Sequence, residues 1–139
     1  MRYLGLDLGS RTLGVAVSDP SGIIASSYGI IRHNEEYDRL IEEVKKIIEE
    51  KEIGSIVLGL PKNMNNTIGP KGELSYKFKE MLEKSTNLEV HLIDERLTTK
   101  QATDILIMND TSRKKRKKVI DSMAATIILQ SYLDKERNK

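Results

Sequence analysis

The spacing of apolar residues changes along the chain from a strand pattern to a helix pattern, which limits the folds available. Residues 2–8 and 13–19 are apolar segments of strand length. The residues between them, Gly9–Thr12, predict a hairpin turn, and a third strand fits within Ile23–Arg32. From residue 36 onward, apolar residues recur at helical spacing. The chain therefore begins with a three-stranded meander and continues with helices.

The rest of the chain alternates helices with buried strands. The predicted elements are, in order, a helix over 36–51 ended by Gly54, a strand at 55–60, a loop at 61–70, a helix over 71–84, a strand at 88–94, a short helix from the capping box Thr98–Gln101 to Met108, and a last helix over 119–135. This order predicts a single α/β domain over residues 1–139. Its five-stranded mixed sheet has three antiparallel meander strands and two parallel strands, with helices on its faces and the first strand near its centre.

Composition excludes several kinds of chemistry. The chain has no cysteine, which excludes disulfides, thiol nucleophiles and Cys-zinc sites. His33 and His91 are its only histidines, too few for a histidine-rich metal site. No apolar run approaches the roughly 18 residues of a membrane span, and the residues before Asp7 contain no apolar h-region of a signal peptide. We therefore expect a cytoplasmic protein without membrane contact.

The positive charge of the chain is concentrated in one segment. The net charge is +2, yet six consecutive basic residues stand at positions 113–118. Without this basic run, Arg113–Lys118, the rest of the chain has a net charge of −4, from 17 Lys and Arg against 21 Asp and Glu. The run is either a solvated charged segment or a binding site for several phosphates.

Carboxylates occupy three places that are normally apolar or neutral. Asp7 lies in the first strand, on the same face as Tyr3 and Gly5. Asp121 falls in the middle of the apolar face of the last predicted helix. Asp94 and Glu95 end the fifth strand, and alternation allows only one of them to face Asp7. Each acid also has an ordinary explanation: a turn carboxylate, an acid favoured by the helix dipole, or a solvated strand end.

Taken together, these acids predict a metal site at one edge of the sheet. Hard cations such as Mg²⁺ or Mn²⁺ take oxygen ligands and offset converging negative charge. Two such ions can assist phosphodiester hydrolysis without a histidine or a covalent nucleophile. The expected cofactor is therefore Mg²⁺ or Mn²⁺, with two ions bound.

Four segments in the right order resemble the YqgF/RuvX family and span nearly the whole chain. They are Gly5-x-Asp7-x-Gly9 with Gly14–Asp19, Gly59–Met64 with Gly69-Pro70, Asp94–Thr99, and Asp121-x-x-Ala124-Ala125 with Ile128–Gln130. The resemblance implies an RNase H-like fold. It also implies a nuclease, described for the family as a Holliday junction resolvase and as an enzyme trimming the 5′ end of precursor 16S ribosomal RNA. By the same resemblance, Asp7, Glu95 and Asp121 are the catalytic, metal-binding acids.

Basic and amide side chains are the candidates for nucleic-acid binding. They are Arg11, Lys62, Asn63, Lys71, Arg113, Lys114, Lys115, Arg116, Lys117 and Lys118. The chain has no Trp, one Phe and five Tyr, so we expect recognition of backbone and shape in place of base stacking. His91 is interpreted as a structural residue and His33 as a solvated one.

The leading hypothesis is a metal-dependent nuclease that processes the 5′ end of precursor 16S rRNA in ribosome biogenesis and associates with the ribosome. A Holliday junction resolvase is the alternative, and it would require a homodimer, since two strands are cut. A non-catalytic nucleic-acid-binding factor is a further possibility. The phosphotransferase group that includes sugar kinases and actin begins with a similar hairpin, but its members clamp ATP between two domains, and 139 residues supply one.

Overall fold

The first three strands form the meander that the sequence predicts. The computed structural model describes residues 1–61, 69–94 and 113–137, and for residues 113–122 and 137 it describes the backbone alone. Within those ranges the elements are β1 (Arg2–Leu8), β2 (Thr12–Ser18), β3 (Ala25–Arg32), α1 (Tyr37–Lys51), β4 (Ile53–Leu60), α2 (Pro70–Thr86), β5 (Val90–Asp94) and α3 (Arg113–Arg137). The predicted helix over 98–108 and most of the 61–70 loop lie outside the described residues.

The strands form one five-stranded sheet in the order β3-β2-β1-β4-β5. β2 is antiparallel to both β1 and β3, while β4 is parallel to both β1 and β5. The mixed sheet with β1 at its centre is confirmed. Because β4 and β5 run parallel to β1, the carboxyl ends of all three strands lie at the same edge of the sheet.

A separate apolar core lies on each face of the sheet. On one face, Leu4, Leu6 and Leu58 pack with residues of α1 and α2 such as Val44 and Phe78. On the other face, the buried residues come from two strands and α3: Ala16, Val57, Ala125, Ile128, Leu129 and Leu133. Among the described helices, none is long and apolar enough to cross a membrane.

Helix α3 approaches β1 closely and runs antiparallel to it. Tyr3 contacts Tyr132 with ring centroids 5.8 Å apart. Two residues further along the strand, a Cβ on Gly5 would lie 2.7 Å from Leu129 Cβ and 3.0 Å from the Ala125 carbonyl oxygen. The absence of a side chain at Gly5 is therefore what permits this approach.

The bounds of two helices differ from the sequence prediction. α1 ends at Lys51, and its C-cap residue is Glu52 in the left-handed conformation with φ of 54°, while Gly54, the predicted terminator, lies within β4. α3 begins at Arg113, so the basic run is part of this helix and does not precede it. Lysine and arginine form helices readily, but a run of them has no apolar periodicity by which to detect the helix.

Candidate functional site

Asp7 lies near the end of the central strand, next to an open cleft. It pairs with Gly14 of β2 and is partly buried. The cleft has a volume of about 410 Å³ and includes Glu35, Tyr37 and Lys71 in its lining. We call it the Asp7 cleft. Asp7, Glu35 and Lys71 therefore lie close together at the carboxyl edge of the sheet, and Glu35 is a lining residue that the sequence did not reveal.

The Asp7 cleft is also lined by a tyrosine, Tyr37. Burial, assisted by the charge of Glu35, raises the pKa of Tyr37 above its ordinary value. The Tyr37 hydroxyl therefore remains protonated at neutral pH and can donate a hydrogen bond.

His33 fastens the turn that follows Asp7, and its interpretation as a solvated residue is wrong. Its side chain is only 4% exposed. The backbone N–H of Glu35 donates to His33 Nδ1 at 3.0 Å, and His33 Nε2 lies 3.0 Å from the Gly9 carbonyl oxygen. Because Nδ1 accepts a hydrogen bond, the ring proton belongs on Nε2, which donates to Gly9. The ring thereby joins the β1–β2 turn to the segment between β3 and α1.

The register of the sheet separates the two acids at the end of β5. Leu6, Leu58 and Leu92 are aligned across β1, β4 and β5 and belong to the core under α1 and α2. Ile93 packs against the opposite core, under α3. Asp94 is two residues beyond Leu92, so alternation assigns it to the α1 and α2 face, whereas Asp7, two residues beyond Gly5, lies on the α3 face.

Of the three predicted metal ligands, Asp7 is the one with a described side chain. Glu95 lies outside the described residues, and Asp121 is described only as a backbone position in α3. Within residues 1–61, 69–94 and 123–136, no group of three His, Asp or Glu side chains could hold a metal ion. The chain's oxygen donors and lack of cysteine fit a hard cation.

The predicted nucleic-acid-binding residues fall into three groups. Lys71 lines the Asp7 cleft, and Arg11 lies on the adjoining turn, where it donates to Asn34 Oδ1 at 3.1 Å. The basic run occupies the first turns of α3, with its side chains not described. Lys62 and Asn63 lie outside the described residues.

His91 lies away from the Asp7 cleft. Its ring stacks on Tyr132 with centroids 5.0 Å apart, and its Nε2 lies 3.4 Å from a Glu89 carboxylate oxygen. These contacts agree with a structural role.

Gln130 also fastens α3 to the sheet, although at about 100° per residue it falls with Ser122 and Thr126 on the polar side of the helix. Its amide receives a hydrogen bond from Ala25 N–H at 2.8 Å and donates to the Ile23 carbonyl at 2.9 Å. Thr126 Oγ1 is buried as well. Most of the circumference of this part of α3 is therefore in contact with protein, which a two-sided pattern does not reveal.

Comparisons with known proteins agree on one family and one fold. Residues 1–135 match the family model described as "RuvX: Holliday junction resolvase". A protein of Clostridium botulinum strain Hall, named "Putative pre-16S rRNA nuclease", is 50% identical over 135 residues, which are 96% of this chain and 97% of that protein. A protein of the same name from strain Eklund 17B is 51% identical over 136 residues, 97% and 98% of the two chains.

Among solved structures, the fold is similar to that of RuvC. The structure of Thermus thermophilus RuvC in complex with Holliday junction substrate matches with a TM-score of 0.64 at 14% identity, covering 100% of this chain and 97% of that one. A second T. thermophilus RuvC structure matches with a TM-score of 0.60 at 13% identity, covering 99% and 97%. At this level of identity the likeness concerns the fold, which is RNase H-like as the sequence predicted.

Proposed function

The chain belongs to the RuvX family, and from that premise we propose that it is a metal-dependent nuclease that trims the 5′ end of precursor 16S rRNA. The observation that carries the proposal is the position of Asp7. An acid at the carboxyl end of the central strand, beside an open cleft with Lys71, is suited to phosphodiester chemistry. Relatives about half identical over nearly the full length bear the name of that activity.

Glu95 is the proposed second ligand. Asp94 is assigned to the face opposite Asp7 by the register of β4 and β5. Continued alternation would direct the next residue toward the α3 face, which Asp7 shares. The register thus supports Glu95 over Asp94, the choice that strand spacing alone left open.

Asp121 is the proposed third ligand. Tyr3 of β1 contacts Tyr132 of α3, and Gly5 lies against Leu129 and Ala125. Moving two residues forward along β1 therefore corresponds to moving about one turn backward along α3. Two strand residues advance about 6.7 Å and four helix residues about 6 Å. Continuing this match pairs Asp7 with residue 121, four residues before Ala125.

These three carboxylates would together hold two Mg²⁺ or two Mn²⁺ ions. When bound, the metal supplies Lewis-acid stabilisation of the charge that develops on the phosphodiester. Lys71 and Tyr37 line the Asp7 cleft on the α1 and α2 side of the sheet edge, where they would contact phosphates next to the bond that is cleaved. Arg11 and the basic run bind phosphates flanking the cleavage site and give a salt-dependent affinity.

Holliday junction cleavage is the second candidate, because the family model bears that description. A resolvase must cut two strands and would act as a homodimer. An enzyme trimming rRNA could act as a monomer in association with the ribosome. The two substrates therefore predict different active assemblies.

A cleavage panel tests the proposal and separates the candidates. The substrates are a 5′-labelled precursor 16S rRNA fragment, an unstructured RNA of equal length and a four-way DNA junction, each with Mg²⁺, Mn²⁺ or EDTA. We expect cleavage of the precursor at its 5′ side with either metal and none with EDTA. If only the DNA junction is cleaved, the protein is a resolvase and not an rRNA-trimming enzyme. Binding without cleavage of any substrate would reduce the protein to a nucleic-acid-binding factor.

A further inference from the structure

A second cleft lies beside the Asp7 cleft and is lined by three arginines. Its volume is about 440 Å³, and its residues are Arg11, Arg32, His33, Asn34, Glu36 and Arg39. We call it the arginine cleft. It contains three guanidinium groups and one carboxylate, that of Glu36. The hydrogen bonds of His33 correspond to the neutral form of its ring. The cleft is therefore a compact positive site formed by the β1–β2 turn, the end of β3, the segment before α1 and the first turn of α1.

Two of the arginines are held in place by the protein. Arg11 donates to Asn34 Oδ1 at 3.1 Å, and Arg39 donates to the Arg32 carbonyl oxygen at 2.7 Å. Arg39 also lies 3.5 Å from a Glu36 carboxylate oxygen. A guanidinium has five N–H donors, so these contacts leave further donors on each side chain for a ligand. Holding the groups in place beforehand reduces the entropy lost on binding.

The back of the arginine cleft is fixed by the buried His33. Its hydrogen bonds to Gly9 and Glu35 join the turn that carries Arg11 to the segment that carries Glu36 and leads into Arg39. The backbone N–H of His33 also donates to the Arg11 carbonyl oxygen at 2.9 Å. These hydrogen bonds thus connect the backbone segments that carry Arg11, Arg32 and Arg39.

The two clefts share the segment of residues 33–37. Glu35 and Tyr37 line the Asp7 cleft, while Asn34 and Glu36 line the arginine cleft. In the sheet, Asp7 pairs with Gly14, Gly14 with Ile30, and Arg32 follows Ile30 by two residues. With strands about 4.8 Å apart and about 3.4 Å per residue, Arg32 and Asp7 Cα atoms are roughly 12 Å apart. A nucleic-acid strand could therefore occupy both clefts at once.

We propose that Arg11, Arg32 and Arg39 form a phosphate-binding subsite for the nucleic-acid backbone flanking the bond cleaved at Asp7. The inference rests on the proposed nuclease function. A guanidinium group binds two phosphate oxygens through paired N–H donors. Among the described residues that line the cleft, His33 has the only aromatic ring and is buried, so the contacts are to backbone and not to bases. The arginine cleft adjoins α1, on the opposite face of the sheet from α3, so it is distinct from the basic run.

The test compares three double variants with wild type. Arg32→Ala/Arg39→Ala removes two charges from the cleft, and Arg32→Lys/Arg39→Lys keeps the charges but loses paired contacts. The matched control, Lys46→Ala/Lys84→Ala, removes two exposed lysines from α1 and α2, away from both clefts. Affinity for the labelled precursor 16S rRNA fragment is measured in EDTA over a series of KCl concentrations, and KM and kcat are measured with Mg²⁺. Thermal unfolding verifies that each variant is folded.

For the alanine pair we expect affinity to fall roughly tenfold or more at low salt. The slope of log affinity against log salt should decrease by about 1.4–1.8, corresponding to two lost phosphate contacts. KM should rise while kcat stays unchanged, because the subsite binds substrate and transition state equally. The lysine pair should retain most of the slope, and the control pair should match wild type in both measurements.

An alanine pair that is folded and has wild-type affinity, slope and KM would overturn the subsite. So would an equal loss in the control pair, which would indicate a general effect of net charge. In both cases wild type still cleaves in a metal-dependent manner and the proposed function stands. If wild type neither binds nor cleaves the fragment or the DNA junction, the proposed function fails and the subsite fails with it.

Discussion

Gly5 is the residue that sets the distance between the central strand and α3. A side chain there would meet Leu129 Cβ at 2.7 Å and the Ala125 carbonyl oxygen at 3.0 Å, both belonging to rigid parts of the helix. The close approach brings the α3 backbone toward the Asp7 side of the sheet. In our account, the proposed metal site therefore depends on the missing side chain two residues before its first ligand.

Gly5→Ala should destabilise the protein by roughly 1–3 kcal/mol, because the helix must move to accommodate the methyl group. The matched control is Gly54→Ala in β4. There the added Cβ would meet Met1 Cγ and Sδ at 2.6 Å, the far end of a flexible, exposed side chain that can move aside. Urea unfolding measures both variants. Equal stability losses in the two would contradict the assigned role of Gly5.

Asp19 holds the loop between β2 and β3 through its carboxylate. It accepts backbone N–H groups from Ile24 at 2.8 Å, Ile23 at 2.7 Å and Ser21 at 3.1 Å. The bonds from Ile24 and then Ile23 contribute most to lowering the pKa of Asp19 below its ordinary value of 3.8. The loop is therefore held best when this carboxylate is ionised.

The stabilisation from Asp19 should be lost in acid. Because the pKa is lower in the folded protein, the contribution is complete above the unfolded pKa near 3.8 and is lost as pH falls through the folded pKa. Wild type should exceed Asp19→Asn in free energy of unfolding at pH 6, and the difference should shrink below about pH 4. Urea titrations from pH 6 to pH 2.5 measure it. A difference that is constant over this range would contradict the assignment.

Among the elements, the β1–β2 turn and the segment before α1 are joined by His33. The segment is itself unusual, since Glu35 adopts a left-handed conformation with φ of 66°. Two backbone groups, the Gly9 carbonyl and the Glu35 N–H, use the imidazole ring as their partner. This connection fixes the position of the Asp7 cleft relative to the arginine cleft.

His33→Ala should cost on the order of 1–3 kcal/mol, since it leaves these backbone groups without their partner. The control is His91→Ala, because His91 is partly exposed and Glu89, whose carboxylate it contacts, is 83% exposed. Chemical denaturation measures both variants. We expect His91→Ala to lose clearly less stability than His33→Ala, and the reverse order would be incompatible with the role given to His33.

Elements with apolar periodicity were predictable, and those defined by distant contacts were not. The helical spacing of apolar residues from residue 36 onward predicted α1 to within a residue at its start, and apolar segments of strand length predicted β1 and β2. The start of α3 was missed because the basic run has no apolar pattern. The burial of His33 was missed because its partner Gly9 lies 24 residues earlier, and nothing in the local sequence indicates that contact.

At the scale of the whole molecule, the order of elements was sufficient to predict the sheet. Three meander strands followed by two crossovers place β1 in the centre, as observed. The candidate site was predictable only in its composition. Asp7 and Lys71 were selected as residues, but their common cleft with Glu35 and the adjoining arginine cleft depend on how separate loops pack together.

Metal binding at three converging carboxylates should stabilise the folded protein. A ligand at a hundredfold excess over its Kd adds about 2.7 kcal/mol, which corresponds to several degrees in Tm for a domain of this size. Mg²⁺ should therefore raise the Tm of wild type more than KCl of equal ionic strength does. The same rise in Asp7→Asn would contradict Asp7 as a ligand.

The central claim, that Asp7 is a metal-binding catalytic acid of a nuclease, is tested most directly by single-turnover cleavage of the precursor 16S rRNA fragment. Wild type, Asp7→Asn and the control Asp38→Asn are compared with saturating Mg²⁺ or Mn²⁺. Asp38 is an exposed acid in the first turn of α1 that lines neither cleft. Asp7→Asn should lose more than the roughly 10–100-fold that removing an outer-sphere partner costs, and Asp38→Asn should cleave as wild type does. Cleavage by Asp7→Asn at the wild-type rate would contradict the account.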